Sequence, residues 1–249
     1  MFEKVKNKIQ NSGIIRKANY GKIWQEKFGD KQIQWYEGMH KSCLKMHDNF
    51  KEFIHENSPS TILEVGCGAG YYPINLKELF VGKEYVGIDI SETAVKLCNS
   101  IYNIDNLDFA IGDSENIPFA NEKFDVVINV ESSHCYGSMQ SFLGETFRIL
   151  KPGGVFLFCD LRETSALEEL FDQFNNSGLR IIQHQDITKN IIEALTKMST
   201  ERKNAIQRSV PGFFRKAFES YAGVKGSKIY DSFKNGTLSY VSACLEKPM

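Results

Sequence analysis

The sequence predicts an α/β fold in which helices cover both faces of a doubly wound, mostly parallel sheet. Three short apolar runs support this prediction, at residues 61–65 (TILEV), 85–90 (YVGIDI) and 124–130 (FDVVINV). Each run is apolar on both faces and is bounded by residues that break regular structure, which is typical of strands buried in a parallel sheet. Helical patterns separate the runs, and such an alternation predicts a parallel sheet with right-handed crossovers.

Helix and turn signals place the remaining elements. Residues 92–102 carry an apolar side, and Ser91 just before them is a typical N-cap residue. Residues 150–154 (LKPGG) predict a turn that stops a helix beginning near Met139, because proline breaks a helix and glycine permits a chain reversal. The strands expected after this turn are residues 155–159, 178–183 and 237–244.

Composition limits the classes of function. Of the 249 residues, 42% are hydrophobic and 24% are charged, as in an ordinary globular domain, and no internal repeat or linker divides them. We therefore expect one domain over residues 1–249. The formal net charge is −1, whereas proteins that neutralise phosphates carry a basic excess, so nucleic acid is not the expected partner.

Cysteine usage and hydrophobic runs indicate the surroundings of the protein. The six cysteines are scattered and show no CxxC pair or other metal-ligand spacing, so no metal site is predicted. The first residues are too charged for a secretory signal, and scattered thiols without one predict a cytoplasmic location. Nowhere do 18 apolar residues follow one another, so no membrane span is expected. The sequence leaves open whether the chain is a monomer or a homodimer.

Two segments lie outside the alternation of strands and helices: residues 1–58 before the first strand and residues 188–235 before the last. Both have helical patterns rich in aromatic residues. In an open α/β sheet the ligand crevice lies beyond the carboxyl ends of the strands, so we predict that both segments are helical lids over it. The residues expected to line an apolar substrate pocket are Trp35, Tyr36, His40, Tyr136, Phe213 and Phe214. The alternative is that these aromatic residues only pack helices onto the sheet.

A glycine-rich loop, residues 64–70 (EVGCGAG), follows the first strand and opens a helix. Glycines let the chain turn sharply and bring backbone N–H groups close to a ligand. The spacing is G-x-G-x-G, and the dinucleotide pattern G-x-G-x-x-G would need glycine where Tyr71 stands. Because the third small residue serves a pyrophosphate, the loop favours a ligand without phosphates, such as a sulfonium compound, over a nicotinamide dinucleotide.

Two acidic residues follow further strands. Asp89 lies at the end of the second run, 19 residues after Gly70, where a carboxylate can accept hydrogen bonds from both ribose hydroxyls. Its alternative role is to cap the next helix, for which Ser91 is better placed. Asp113, within residues 111–119 (IGDSENIPF), could accept a hydrogen bond from an adenine amino group, or it could simply form a polar turn.

Taken in order, the glycine loop, the run ending in Asp89, residues 111–119, residues 124–129 (FDVVIN) and residues 150–154 resemble the motifs of class I methyltransferases that use S-adenosylmethionine (SAM). The resemblance covers about residues 60–160. It implies a Rossmann-like, seven-stranded sheet whose last strand runs antiparallel. It also implies transfer of a methyl group from SAM, with S-adenosylhomocysteine (SAH) as the product.

The resemblance gives roles to residues at the expected ligand edge. It implies Glu64 near the methionine end of SAM, Asp89 on the ribose and Asp113 near the adenine. The three glycines of the loop are implied along the cofactor. The full set of residues expected to contact the cofactor is Glu64, Gly66, Cys67, Gly68, Gly70, Asp89, Ile90, Asp113, Ser114, Glu115 and Asn129.

Residues 131–138 (ESSHCYGS) indicate a branch of this family. They resemble methyltransferases acting on a hydroxyl or activated carbon of lipid, polyketide and prenyl-type molecules. Phthiotriolone dimycocerosate O-methyltransferases and, more distantly, sterol and tocopherol methyltransferases belong to this branch. The D/N-P-P-Y/F motif of adenine and glutamine amino-group methyltransferases is absent, since residues 129–132 read NVES. No Pro-Cys pair supplies the nucleophile that cytosine C5 methylation needs.

The expected reaction is methyl transfer to a hydroxyl oxygen of a small, largely apolar acceptor. A hydroxyl loses its proton in this reaction, and His134, just past the fourth strand, suits the role of base because histidine titrates near neutrality. Glu131 is expected to orient His134 or to contact the methionine amino group. The alternative for His134 is a loop histidine with an ordinary backbone hydrogen bond. The alternatives for the protein are an N- or C-methyltransferase of a small molecule, a methyltransferase of protein or RNA, a nicotinamide oxidoreductase and a non-catalytic SAM-binding protein.

Overall fold

The computed structural model of the chain describes Ile54, residues 59–70, residues 82–209, residues 212, 213, 215 and 219, and residues 223–249. These residues form a seven-stranded sheet whose strands are β1 (Thr61–Val65), β2 (Glu84–Asp89), β3 (Leu107–Ile111), β4 (Phe124–Val130), β5 (Leu150–Glu163), β6 (Arg180–Asp186) and β7 (Leu238–Glu246). The strand order is β3-β2-β1-β4-β5-β7-β6, and β7 runs antiparallel to both of its neighbours. The predicted α/β sheet with an antiparallel last strand is therefore confirmed.

The helices of the described residues connect these strands. They are α1 (Glu92–Ile101), α2 (Met139–Ile149), α3 (Leu167–Asn175), α4 (Thr188–Ser209) and α5 (Lys228–Lys234). The Ser91 side chain accepts a hydrogen bond from the backbone N–H of Ala94, which confirms Ser91 as the N-cap of α1. Within the ranges described above, no helix is both long enough and apolar enough to cross a membrane.

Hydrophobic residues fill both faces of the sheet. Ile62 of β1 and Ile128 of β4 belong to a buried cluster with Leu195 of α4 on one face. Leu63 and Val127, one residue away along the same strands, belong to the cluster on the opposite face, which includes side chains of α2 and α3. Because successive side chains of a strand point to opposite faces, burial of both faces requires the continuous apolar runs seen in the sequence.

Strand β3 gave no clear sequence signal because it lies at the edge of the sheet. Along Leu107–Ile111, Phe109 is the buried residue, and Ile111 is 54% exposed. An edge strand with partly exposed side chains needs no continuous apolar run, which explains why the pattern of the sequence did not show it.

The prediction of a turn at residues 150–154 was wrong in one respect. Helix α2 ends at Ile149 as expected, but β5 begins at once with Leu150, which lies opposite Phe124. Val155 lies opposite Val126, so the extra residues form an irregularity inside the strand. The backbone N–H of Gly153, a residue with φ of +75°, donates to the Lys247 carbonyl, and this bond fixes the irregularity against the chain after β7.

The two predicted lid segments are described only in part. Residues 1–58 lie outside the described residues except for Ile54, so the structure does not place Trp35, Tyr36 or His40. Within residues 188–235, helix α4 packs its buried apolar side chains onto the sheet together with α5. Phe214 lies outside the described residues, and the side chain of Phe213 is 80% exposed. Closure of these segments over a ligand therefore stays a prediction.

Candidate active site

The loops that follow β1, β2 and β4 meet the last residues of β5 at the carboxyl edge of the sheet, which is the usual ligand edge of a doubly wound fold. The glycine loop folds across the end of β2. The backbone N–H groups of Gly66 and Cys67 both donate to the Ile88 carbonyl, at 2.8 and 3.0 Å. The Cys67 side chain packs in a small buried cluster with Val95, Cys98 and Phe109.

At Gly66 the glycine loop packs tightly against the loop after β4. The φ of Gly66 is +76°, and a Cβ atom built on it would lie 1.9 Å from Ser132 Oγ and 2.9 Å from the Tyr136 hydroxyl. Both the backbone angle and the missing space therefore require glycine here. The hydroxyls of Ser132 and Tyr136 are hydrogen-bonded to each other at 2.8 Å. Tyr136, expected in the substrate pocket, thus supports the glycine loop, and its contact with substrate stays a prediction.

Asp89 ties the glycine loop to helix α1. One carboxylate oxygen accepts the backbone N–H of Gly68 at 2.9 Å, and the other accepts that of Ser91 at 2.8 Å. Burial raises the pKa of Asp89 although these two hydrogen bonds oppose the shift. A carboxylate can accept more than two hydrogen bonds, so ribose hydroxyls fit the same group. Ile90, next in the chain, is partly exposed at this edge.

Asn129, near the end of β4, has a fixed orientation. Its Nδ2 donates to the Val65 carbonyl and to the Tyr136 hydroxyl, both at 2.8 Å. Its Oδ1 is fully buried and accepts no hydrogen bond from the residues that the structure describes. A buried acceptor of this kind is costly unless it is paired, so it fits a donor supplied by a ligand.

Glu64 lies on β1 beneath this edge and is 4% exposed. The Tyr85 hydroxyl donates to Glu64 Oε2 at 2.7 Å. Burial raises the pKa of Glu64 to about 8; the bond from Tyr85 opposes the shift and the nearby Asp89 adds to it. The ligand-free site therefore holds a largely neutral carboxyl group that a cation would ionise.

The loop after β3 carries the predicted adenine-side residues. Asp113 Oδ1 accepts the backbone N–H of Glu115 at 2.9 Å, and Ser114 is buried beside them. Glu115 Oε1 accepts the backbone N–H groups of Gly137 and Ser138, at 2.9 and 3.2 Å. Glu115 thus joins this loop to the loop after β4, and contact of the three residues with a cofactor stays a prediction.

His134 lies in a short 3₁₀ turn, Ser133–Cys135, that follows β4. Its Nδ1 is 2.8 Å from Asp160 Oδ1, and its backbone N–H donates to Asp160 Oδ2 at 2.9 Å. The imidazole is 33% exposed, whereas the Asp160 carboxylate is completely buried. The His134 ring thus has a carboxylate partner in addition to the backbone hydrogen bond, and its role as a base stays a prediction.

The charge of Asp160 controls the titration of His134. Burial alone would lower the pKa of His134, but the attraction of the Asp160 carboxylate outweighs it and raises the pKa well above 6.5. Conversely, His134 and Arg162 hold the pKa of Asp160 far below its usual range despite its burial. The imidazole is thus a stronger base than an ordinary histidine.

Asp160, Arg162 and Ser133 are site residues that the sequence interpretation missed. Ser133 Oγ donates to Asp160 Oδ2 at 2.6 Å, and Arg162 reaches both the same oxygen at 3.1 Å and Ser133 Oγ at 2.7 Å. A signal was present, because Asp160 comes directly after the apolar run of residues 155–159. Since parallel strands end at the same edge, polar residues after two neighbouring strands are expected to meet.

Glu131 follows β4 with a φ of +48°, a left-handed conformation that costs energy for a non-glycine residue. Burial raises the pKa of its carboxyl group to about 7, while the nearby Tyr240 hydroxyl and the positive charges of His134 and Arg202 oppose the shift. Glu131 was expected either to orient His134 or to contact the amino group of the cofactor. Asp160 lies at His134 Nδ1 instead. Contact of Glu131 with the amino group stays a prediction.

A seven-stranded, doubly wound sheet with this edge site defines a Rossmann-like enzyme of the methyltransferase type. A family model described as "Methyltransferase domain" matches residues 56–217. The chain belongs to this methyltransferase family, and the class I resemblance identified from its motifs is confirmed. By class it is a SAM-dependent methyltransferase.

Named relatives are similar over most of the chain. A phthiotriol/phenolphthiotriol dimycocerosates methyltransferase of Mycobacterium leprae is 36% identical over 183 residues, which cover 74% of this chain and 68% of the relative. A fatty-acid O-methyltransferase of Mycolicibacterium smegmatis is 30% identical over 187 residues, covering 75% and 68%. Geranyl diphosphate C-methyltransferase from Streptomyces coelicolor, solved with SAH, has a TM-score of 0.57 at 16% identity and covers 81% of this chain and 79% of that one, a likeness that shows the fold alone.

Proposed function

We propose that this protein transfers the methyl group of SAM to an oxygen atom of a small, largely apolar acceptor of the lipid type. The observation that carries the proposal is the His134–Asp160 pair, which lies at the carboxyl edge of the sheet beside the loop that packs against Gly66. The names of the relatives, which are methyltransferases of dimycocerosate lipids and of fatty acids, support a lipid-type acceptor. A cytoplasmic location and a monomeric or homodimeric state stay predictions.

The charges of the edge suit SAM better than a nicotinamide dinucleotide. Burial raises the pKa of Glu64, Asp89 and Glu131, so a cation bound beside them would favour their ionised forms. SAM supplies a transferable methyl group on a positively charged sulfonium, and it also carries an ammonium group. A pyrophosphate would bring negative charge to the same carboxylates, which like-charge repulsion disfavours.

The residues at this edge fit the parts of SAM that the resemblance implies. Asp89 offers acceptors for the ribose, and the buried Asn129 Oδ1 fits a donor such as the ammonium group. Glu64 and Glu131 add carboxyl groups for that positive charge. At Gly66 the glycine loop and the loop after β4 pack so closely that a side chain is excluded.

His134 is proposed as the general base for a hydroxyl acceptor. Asp160 on Nδ1 favours the tautomer that carries its proton on Nδ1, so Nε2 keeps the lone pair that accepts a proton. The partial exposure of the ring lets Nε2 meet an acceptor hydroxyl. Alignment of acceptor and methyl donor supplies the rest of the rate enhancement, about 7–11 kcal/mol when geometry is ideal.

A carboxylate acceptor is a second candidate, and the raised pKa of His134 favours it. A carboxylate needs no base, and a protonated imidazole would donate a hydrogen bond to it. The name of the fatty-acid O-methyltransferase is consistent with such an acceptor. The two candidates predict opposite dependences of activity on pH. As pH rises through the pKa of His134, activity on a hydroxyl rises, whereas activity on a carboxylate falls.

Release of SAH in the presence of candidate acceptors tests the proposal. Long-chain alcohols, phenolic lipids and fatty acids are compared at fixed SAM, and calorimetry compares binding of SAM with binding of NAD. We expect SAM to bind, NAD not to bind, and turnover with at least one lipid acceptor that places the new methyl group on oxygen. Binding of NAD without binding of SAM, or methyl transfer to nitrogen or carbon alone, would contradict the proposal.

Affinity for SAH is expected to increase with pH because of Glu64. In the ligand-free protein Glu64 has a pKa of about 8, and the ammonium group of the ligand favours its ionised form, so binding releases a proton. Between about pH 6 and 8 the affinity should therefore rise almost tenfold per pH unit. Calorimetry in buffers of different ionisation enthalpy measures the released proton. Glu64→Gln should abolish that part of the dependence, and equal slopes in both proteins would refute the assignment.

A further inference from the structure

Two side chains of helix α2 make several hydrogen bonds to the loop after β3, residues 112–121. Glu145 Oε2 accepts the backbone N–H of Ile117 at 2.6 Å. Arg148 donates to the Ile117 carbonyl at 2.9 Å, to the Phe119 carbonyl at 2.7 Å and to Asn121 Oδ1 at 2.9 Å. We call Glu145 and Arg148 the α2 brace.

The brace uses the full hydrogen-bonding capacity of the arginine. Besides its bonds to the loop, Arg148 donates from Nε and from a terminal nitrogen to the two oxygens of Glu145, both at 2.8 Å. Together these contacts engage all five N–H donors of the guanidinium group. The Arg148 and Glu145 side chains are only 30% and 18% exposed. Lysine cannot reproduce this arrangement, because it has three donors on one nitrogen and no planar fork.

The loop held by the brace lies beside the predicted ribose and adenine residues. The backbone N–H of Gly112 donates to the Asp89 carbonyl at 3.0 Å, so the loop begins against the end of β2. Glu115 accepts the N–H groups of Gly137 and Ser138 just before α2. Helix α2 therefore fixes the loop at two places, through Glu115 near its N-terminus and through the brace near its C-terminus.

We propose that Glu145 and Arg148 are positioning residues for the adenine end of the cofactor. They act through the backbone of residues 112–121 and hold Asp113 and Ser114 in place without touching the ligand. Since positioning residues restrain a loop before the ligand arrives, their loss should weaken binding by an ordering cost. The proposal rests on the proposed function, which places adenine beside Asp113.

Arg148→Lys tests the proposal, since it keeps the positive charge. We expect the Kd of SAH to rise about tenfold and the Kd of adenosine to rise by the same factor. The kcat at saturating SAM should stay within about twofold of the unchanged protein. Lys96→Ala is the matched control, because Lys96 is 73% exposed and forms a surface ion pair with Glu92 on α1 at 2.6 Å. It should leave both Kd values unchanged.

The outcomes separate this proposal from the proposed function. A lower melting temperature of Arg148→Lys with unchanged Kd values would show a merely structural brace and overturn the proposal. Weaker binding of SAH with unchanged binding of adenosine would overturn it as well, because the effect would not lie at the adenine end. Glu64→Gln gives the opposite pattern, with SAH weakened and adenosine unaffected. If the unchanged protein binds neither SAM nor SAH, the proposed function itself fails, and this proposal with it.

Discussion

Replacement of His134 by alanine is expected to lower kcat for a hydroxyl acceptor by about 10²–10⁴ with little change in the affinity for SAH. The reason is that the imidazole would take the proton of the acceptor, whereas other residues of the edge are expected to hold the cofactor. Initial rates at saturating SAM, together with calorimetric titration of SAH, separate the two effects.

His184→Ala is the matched control for His134→Ala. His184 lies on β6, an outermost strand that β5 and β7 separate from β4. Its ring packs against Phe171 at a centroid distance of 4.8 Å. Its loss should leave kcat unchanged. Full activity of His134→Ala would mean that alignment alone suffices or that another group takes the proton, and the base would have to be sought elsewhere.

The effect of Asp160 should be measurable in the dependence of kcat/KM on pH for the same reaction. Because its carboxylate raises the pKa of His134 well above 6.5, kcat/KM for a hydroxyl acceptor should fall as pH falls through that raised pKa. Asp160→Asn removes the charge, so the midpoint should move to lower pH while kcat drops, since the tautomer is no longer fixed. A merely structural role of Asp160 would lower stability without moving the midpoint. A rate that instead decreases with rising pH would identify a carboxylate acceptor.

Much of the fold could be predicted because its central strands are buried on both faces. Strands β1, β2 and β4 show continuous apolar runs, and breakers mark their ends. Strand β3 and the irregularity at Gly153 could not be predicted in the same way. The first is an edge strand with exposed side chains, and the second depends on a hydrogen bond to Lys247, which lies almost a hundred residues further along the chain.

The residues of the candidate site also fall into two groups, those that a local sequence pattern predicts and those that depend on strand pairing. Residues of the glycine loop and Asp89 were found because their function requires a local pattern after one strand. Asp160 and the Tyr240 hydroxyl near Glu131 were not predicted because strand pairing brings them to this edge. Strand β5 lies beside β4, and the antiparallel β7 places Tyr240 opposite Leu161. Pairing between distant segments leaves no local pattern in the sequence. A polar residue directly after a buried apolar run, such as Asp160 after residues 155–159, is nevertheless a useful indication of a site residue.

The buried carboxyl groups at the ligand edge explain why a cationic cofactor fits there. Glu64 and Asp89 are almost completely buried. The charge of Asp89 raises the pKa of Glu64, and the charges of both raise the pKa of Cys67. Like charges held together in a poorly solvated place are unfavourable when ionised. A bound cation would favour the ionised forms, so ligand binding is coupled to loss of protons from these carboxyl groups.

Asp89→Ala is expected to weaken binding of SAM and SAH by about 1–3 kcal/mol, which is roughly 5- to 150-fold in Kd. The ribose hydroxyls lose their acceptor, and the N–H of Gly68 loses the bond that holds the glycine loop against β2. Both losses affect the bound state directly. Calorimetry with SAH measures the change, and adenosine should lose a similar factor because it carries the same ribose.

A helix-capping role for Asp89 predicts a different result, and Ser91→Ala separates the two. Ser91 caps α1 through its side chain, and loss of an N-cap costs about 0.5–2 kcal/mol of stability. If Asp89 only supported α1, both variants would lower the melting temperature and neither would change the Kd of SAH. If Asp89 binds the ribose, Ser91→Ala lowers stability alone, whereas Asp89→Ala weakens binding of SAH by more than its loss of stability explains, because the ribose hydroxyls lose a buried acceptor.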